Sequence, residues 1–191
     1  MLTVEADAVR VEARLSAGEI ECPDCGGVLA PWGWARGRVL RAEAGPVRVR
    51  PRRSRCVGCG GSHVLLPVFA LVRRVDLADV VGAALVAKVS GAGARTIAEA
   101  LGRPVETVRG WLRRFGRRAE HVRVYFTALL VEVGIDPVPP ALAASSFAQA
   151  VSAMVGAWKS AVSRWPQIGE VSPWQAACAV SQGRLLSPSW P

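Results

Sequence analysis

The sequence predicts a mainly α-helical protein with one small β element near its N-terminus. Three observations carry this: "ECPDCGG" at 21–27 repeated as "RCVGCGG" at 55–61, β-branched residues alternating with arginine between them, and apolar residues at helical spacing from residue 94 onward. Two short turn-forming pieces flanking alternating residues describe hairpins, whereas spacings of three and four describe helices packed by one face.

At 191 residues and 51% apolar content the chain can bury a core, which excludes disorder throughout. The net charge of +9 points to a polyanionic partner, and its distribution narrows the search. Residues 1–25 carry net −4, residues 26–118 net +13, and residues 119–191 net 0. Of the 24 basic residues, 22 are Arg, which suits forked contacts to phosphate and guanine, although a GC-rich genome would produce the same bias. The acidic, interrupted start "MLTVEADAVRVEARL" does not read as a secretory signal. "LADVVGAALVAKV" and "VYFTALLVEVGI" are shorter than the roughly 20 residues that cross a bilayer, and they contain Lys88 and Glu132. A cytoplasmic protein with no membrane partner is expected.

In a reducing compartment the paired cysteines favour thiolate ligands over disulfides. Cys22, Cys25, Cys56 and Cys59 supply the four sulfurs of a closed tetrahedral site, the usual form of structural zinc. Each pair is followed by two glycines, which supply the positive φ that a tight turn around sulfur needs. A rubredoxin-like iron site and dithiol redox chemistry are the competing readings. The redox one fits poorly, because Gly-Gly after each pair does not favour the helix such a motif starts. His63 is read as a loop residue and Cys178, in "WQAACAV", as a small buried hydrophobe. "GRVLRAEAGPVRVRPRRSR" reads as strands with a Gly-Pro turn at 45–46. Over residues 18–68 this arrangement resembles a zinc ribbon, which leaves 1–17 as an acidic N-terminal segment. Four thiolates leave the ion no open position, so Zn2+ would act as a scaffold. The scaffold presents Arg36, Arg38, Arg41, Arg48, Arg50, Arg52, Arg53 and Arg55 with only Glu43 to offset them. Arg48, Arg50, Arg52 and Arg53 are the expected phosphate contacts, against the alternative of a solvated charged face.

"ARTIAEALGRPVETVRGWLRRFGRR" at 94–118 carries the second signal. Ile97, Ala98 and Leu101 share one face of a short helix that stops at Gly102, and Pro104 opens a second helix. Val105, Val108, Trp111, Leu112 and Phe115 mark the buried face of that second helix, leaving Glu106, Thr107, Arg109, Gly110, Arg113 and Arg114 on the other. This stretch resembles the helix-turn-helix of bacterial regulators and transposases. Counting Ala94 as the first residue of that unit, Ile97, Ala98, Leu101, Gly102, Val108 and Trp111 take its core, small-residue and turn places, while Arg103 departs from the apolar residue often found after the turn. "VDLADVVGAALVAKVSG" supplies the third helix, giving a helix-turn-helix domain over 75–118. Base reading would fall to Arg109 and Arg113, with Thr107 and Glu106 as secondary candidates. Arg95, Arg114, Arg117 and Arg118 would hold phosphates. A zinc ribbon followed by a helix-turn-helix resembles the N-terminal part of insertion-sequence transposases and, more narrowly, small actinobacterial proteins of unknown function carried beside such elements.

The remaining 73 residues hold only Glu120, Glu132, Asp136 and Glu170 as acids, and lack the length and strand pattern of an RNase H-like catalytic domain. No catalytic residues are expected. The region reads as helices over 119–191: "EHVRVYFTALLVEVG", then after the breaker "DPVPP" the stretch "ALAASSFAQAVSAMVGAWKSAVSRW", then "SPWQAACAVSQGRLL" with Ser172 capping before Pro173. Trp158, Trp165, Trp174 and Trp190 are packing anchors or, on the sharper reading, a surface for a homodimer or a transposase subunit.

The expected function is sequence-specific binding of double-stranded DNA through the helix-turn-helix, without catalysis. The protein would act as a regulator or as the recognition component of a mobile element, associated with the nucleoid. A divergent or truncated transposase, and a zinc-ribbon module that binds protein, are the rivals.

Overall fold

The computed structural model describes residues 1–135, 137, 145–188 and 190. About half of these are helical, and a small mixed sheet and a separate hairpin occupy the N-terminal third. The strands are β1 (Leu2–Val4), β2 (Leu29–Trp34), β3 (Arg38–Arg41), β4 (Pro46–Val49), β5 (Arg52–Cys56) and β6 (Ser62–Pro67). The helices are α1 (Ala8–Ser16), α2 (Ala78–Val89), α3 (Ala94–Ala100), α4 (Val105–Val133), α5 (Ser146–Arg164) and α6 (Pro173–Val180), with a 3-10 turn at Pro166–Glu170.

The four-stranded sheet runs β1-β6-β5-β2, antiparallel except for the parallel β1–β6 pair. β3 and β4 form their own hairpin, with Gly45 at φ 130° in the turn. The acidic N-terminal segment 1–17 is part of this layer. β1 extends the sheet, and Asp7 caps α1 by accepting from the Val9 and Arg10 amides. α1 buries Val11 and Leu15 with Ile20, Cys22, Leu29, Cys56 and Leu65 in a small core. Its acids were visible in the sequence, but the stripe formed by Val11 and Leu15 is what holds it down.

A second, larger core joins the helices to the sheet. Consecutive residues of a strand point to opposite faces, so in β6 Leu65 enters the small core while Leu66 enters the large one. Leu40 of β3 also reaches the large core. α2 is buried nearly all round through Ala78, Val80, Val81, Gly82, Ala84 and Leu85. Gly82 has a specific reason to be glycine: a Cβ there would lie 2.1 Å from Cδ2 of Trp174 in α6.

α4 is one continuous helix of 29 residues, so the expected boundary at 118/119 falls within it. The apolar positions Val108, Trp111, Phe115, Ala119, Val122, Phe126 and Leu130 keep a spacing of three and four across that point, and nothing breaks the helix. α5 lies along α4 in the same direction, with Phe147 against Phe115 at a ring separation of 4.8 Å and Gly156 beside Leu130. Ser145 and Ser172 cap α5 and α6. The breaker expected at 136–140, apart from Pro137, and the helical start expected at 141–144 lie outside the described residues.

Candidate metal centre and basic helical face

The two cysteine motifs fold alike. In the first, the Cys22 amide donates to Gly27 O at 2.7 Å and the Gly26 amide to Cys22 O at 2.9 Å. In the second, the Cys56 amide donates to Gly61 O at 2.8 Å and the Gly60 amide to Cys56 O at 3.1 Å. Gly26 and Gly60 sit at φ 72° and 73°, a conformation that a side chain would strain. The first knuckle lies inside the Glu21–Val28 bridge, the second between β5 and β6, and the β2–β5 pairing brings them together.

Their four sulfurs all lie within 4.8 Å of one another. The separations are 3.8 Å for Cys22 to Cys59 and 3.4 Å for Cys25 to Cys56, close to the ~3.8 Å edge of a tetrahedron with metal–sulfur bonds of about 2.3 Å. The cluster therefore has the donor set and the spacing to hold a metal ion. Amides help hold negative charge there. The Cys59 N–H, 3.5 Å from the Cys56 sulfur, is the main reason that thiol is pulled down to about 6. Cys59 moves the other way, to about 12: the Gly61 amide favours its thiolate, but the neighbouring Cys25 and Cys56 sulfurs outweigh that.

His63, expected in a loop, is a buried residue of β6 with Nε2 3.5 Å from the Cys22 sulfur and 3.7 Å from a carboxylate oxygen of Asp24. Strand alternation turns it inward against the first knuckle, where it can donate to the Cys22 thiolate from outside the four-sulfur set. Cys178 is fully buried, donates to Ala70 O at 3.4 Å and is pushed up to about 12 by burial. It is a core thiol, remote from the cluster.

No protein-family model, curated protein or solved structure matches this chain. Its function is read from its own geometry.

α3 and the start of α4 are joined by a four-residue turn in which Gly102 takes φ 60°. Ile97, Ala98, Val108 and Trp111 are buried between them. On α4, Glu106, Arg109, Arg113 and Arg117 form one exposed stripe opposite the buried Val108, Trp111 and Phe115. Arg95 and Arg114 are also exposed, whereas Thr107 and Arg118 are half-buried. Gly110, expected on the open face, is buried beneath the Arg114 side chain. Arg109 is held at 2.5 Å by Glu106, one turn earlier.

The ribbon arginines divide. Arg48 and Arg50 are exposed and Arg53 is half-buried. Arg52 is drawn inward: its side chain is 15% exposed, donates to both Glu12 oxygens at 2.8 and 3.1 Å and to Gly33 O at 2.7 Å, and stacks on Trp34. Arg41 pairs with Asp76 at 2.7 Å. The acids that neutralise these two come from far along the chain, which a count of local charge could not reveal.

Two features escaped the sequence reading. Trp32 and Trp34 stand exposed on the edge strand β2, with Arg55 and Arg52 each 4.8 Å from a ring centre. Their spacing of two in a strand was the available signal. Arg74 lies close enough to Arg114 that its guanidinium is pushed below its ordinary value, first by burial and then by that second positive charge.

Proposed function

We propose that this protein binds double-stranded DNA without catalysis, using the N-terminal half of α4 as its reading helix and a Zn2+ ion in the four-cysteine site as a structural clamp. The observation that carries the reading is the stripe of Arg109, Arg113 and Arg117, exposed on a helix whose opposite face is locked by Val108, Trp111 and Phe115. A rigid helix with forked donors on its open side suits the major groove, and Arg109 and Arg113 have the reach for guanine edges. Arg95, Arg114, Arg48 and Arg50 would hold the phosphate backbone. A regulator and the recognition component of a mobile element are both consistent with such a module, and in either role it would work at the nucleoid.

Titration of labelled duplex DNA by anisotropy tests this. Affinity should fall steeply as salt rises, because each phosphate contact releases counterions. Arg109→Ala with Arg113→Ala should weaken binding by about tenfold or more. Unchanged affinity in that double variant removes α4 as the reading helix.

Trp32 and Trp34 favour a second reading, in which the ribbon edge docks on a protein. Trp32→Ala with Trp34→Ala would then abolish capture of that protein and leave the salt-dependent DNA titration unchanged.

A further inference from the structure

A cavity of about 700 Å³ lies between the ribbon layer and the helices, on the C-terminal half of α4. Its size falls in the range of about 300–1,000 Å³ usual for small-molecule sites. The body of the cavity is apolar: Val4 comes from β1, Phe126 and Leu129 from α4, Met154 and Trp158 from α5, and Trp165 follows α5. Trp158 is fixed by its indole N–H, which donates to Val171 O at 3.0 Å. Trp165 is 37% exposed at the opening. Thr3, also in the wall, has a hydroxyl with no hydrogen-bond partner among the described residues.

The charged groups of the wall are all on the N-terminal side. Among the described residues they are Glu5, Glu19 and Glu21, with Arg14 as the one cation. Arg14 already donates to Glu5 at 2.9 and 3.1 Å and lies 3.7 Å from a Glu19 oxygen. The Glu19 side chain remains 61% exposed, and Glu21 is exposed as well. A chain of net charge +9 therefore surrounds one apolar cavity with an acidic edge. DNA and other polyanions are repelled there. An apolar molecule with a positive group gains on both counts, since its body leaves water and its charge faces three carboxylates set against the single guanidinium of Arg14. Arg164 already covers the Trp165 ring at 4.7 Å, so the carboxylates carry the attraction.

We propose that this cavity binds a small apolar organic cation, with its hydrophobic body against Phe126, Met154 and Trp158 and its positive group toward Glu19 and Glu21. The occupied cavity would touch α4 at Phe126 and Leu129, on the same helix as Arg113 and about 20 Å from it along the axis. The site stands independently of DNA binding, so it is tested on the protein alone.

Calorimetric titration of the full chain with tetraphenylphosphonium, and with tetraphenylborate as an anion of the same shape, separates the cases. Saturable one-to-one binding of the phosphonium is expected, with the borate weaker despite the protein's overall positive charge. Glu19→Gln with Glu21→Gln should weaken the phosphonium about three- to tenfold without lowering the melting temperature, since both carboxylates are at the surface. Ala161→Trp, on the half-buried part of the α5 wall, should abolish binding by filling the space. Absence of saturable phosphonium binding, tighter binding of the borate, or phosphonium affinity unchanged in the double glutamine variant would each overturn the proposal. The glutamine variants decide the matter even where Ala161→Trp fails to fold.

Discussion

Nε of Arg103 donates to Oδ1 of Asp76 at 2.6 Å, and Arg41 holds the other oxygen of the same carboxylate at 2.7 Å. Asp76 is 2% exposed and the Arg103 side chain 12%. Arg103 also donates to Ala42 O at 2.9 Å and to Leu101 O at 3.0 Å. One guanidinium therefore ties the turn between α3 and α4 to the β3–β4 hairpin and to the segment before α2. The resemblance to a helix-turn-helix implies an apolar residue at this place; here the buried Asp76–Arg103 pair, joined by the partly exposed Arg41, holds the corner.

Removing one partner from such a pair leaves buried charge without compensation. Asp76→Asn should destabilise the protein by about 3–5 kcal/mol, measured by urea denaturation. A loss of less than about 1 kcal/mol would mean that water reaches Arg103 and that the corner is held by packing alone.

Loss of the metal should unfold the ribbon layer while leaving the helices. Among the described residues the small core holds Val11, Leu15, Ile20, Leu29 and Leu65 besides Cys22 and Cys56, with Leu2 and Val4 packed against it, too little to order the knuckles unaided. Metal analysis of the purified chain should give one ion per protein. Chelation should remove sheet signal from circular dichroism, and Cys25→Ser should reproduce it. Retention of the sheet in the metal-free protein would reduce the cluster to four adjacent thiols.

Glu106 competes with phosphate for Arg109. With the pair at 2.5 Å on an exposed surface, its own contribution to stability is small. Glu106→Gln should leave the melting temperature unchanged and tighten non-specific DNA binding about two- to fivefold, by freeing the guanidinium and removing a repelling charge. Weaker binding in this variant would instead make Glu106 a base contact.

Gly82 and Trp174 pack against each other where α2 meets α6, with three indole atoms within 2.4 Å of the position a Cβ would occupy. Gly82→Ala should cost about 1–3 kcal/mol despite the higher helix propensity of alanine. Trp174→Leu should make the same substitution much less harmful, and a double-mutant cycle measures that coupling. Additive effects would show that the helices shift apart freely.

Cys178 predicts a limb in the alkaline stability curve. Its folded value near 12 lies above the ordinary 9.0, so between those values the folded state binds more protons than the unfolded chain. Stability from this group is complete below about 9 and is lost as pH rises toward 12. Cys178→Ala should flatten the fall in stability across that window, as followed by denaturation at stepped pH. An identical slope in the variant would mean that the thiol titrates normally.

The local pieces of the molecule could be read from residue order. The Cys-x-x-Cys-Gly-Gly knuckles, the turn at Gly102, the cap at Ser172 and the buried stripe of α4 each depend on residues a few positions apart, where spacing and backbone preference suffice. Pairing across the chain could not. Glu12 and Asp76 neutralise arginines 40 and 35 residues away, His63 lies under a knuckle 41 residues before it, and Gly82 admits a tryptophan from the last helix. The cavity also depends on the folded chain, because its acidic edge and apolar wall come from opposite ends of the sequence. Charge and shape complementarity act through space, so which arginines stay free to meet an anion was decided only when the ribbon and helices closed on each other.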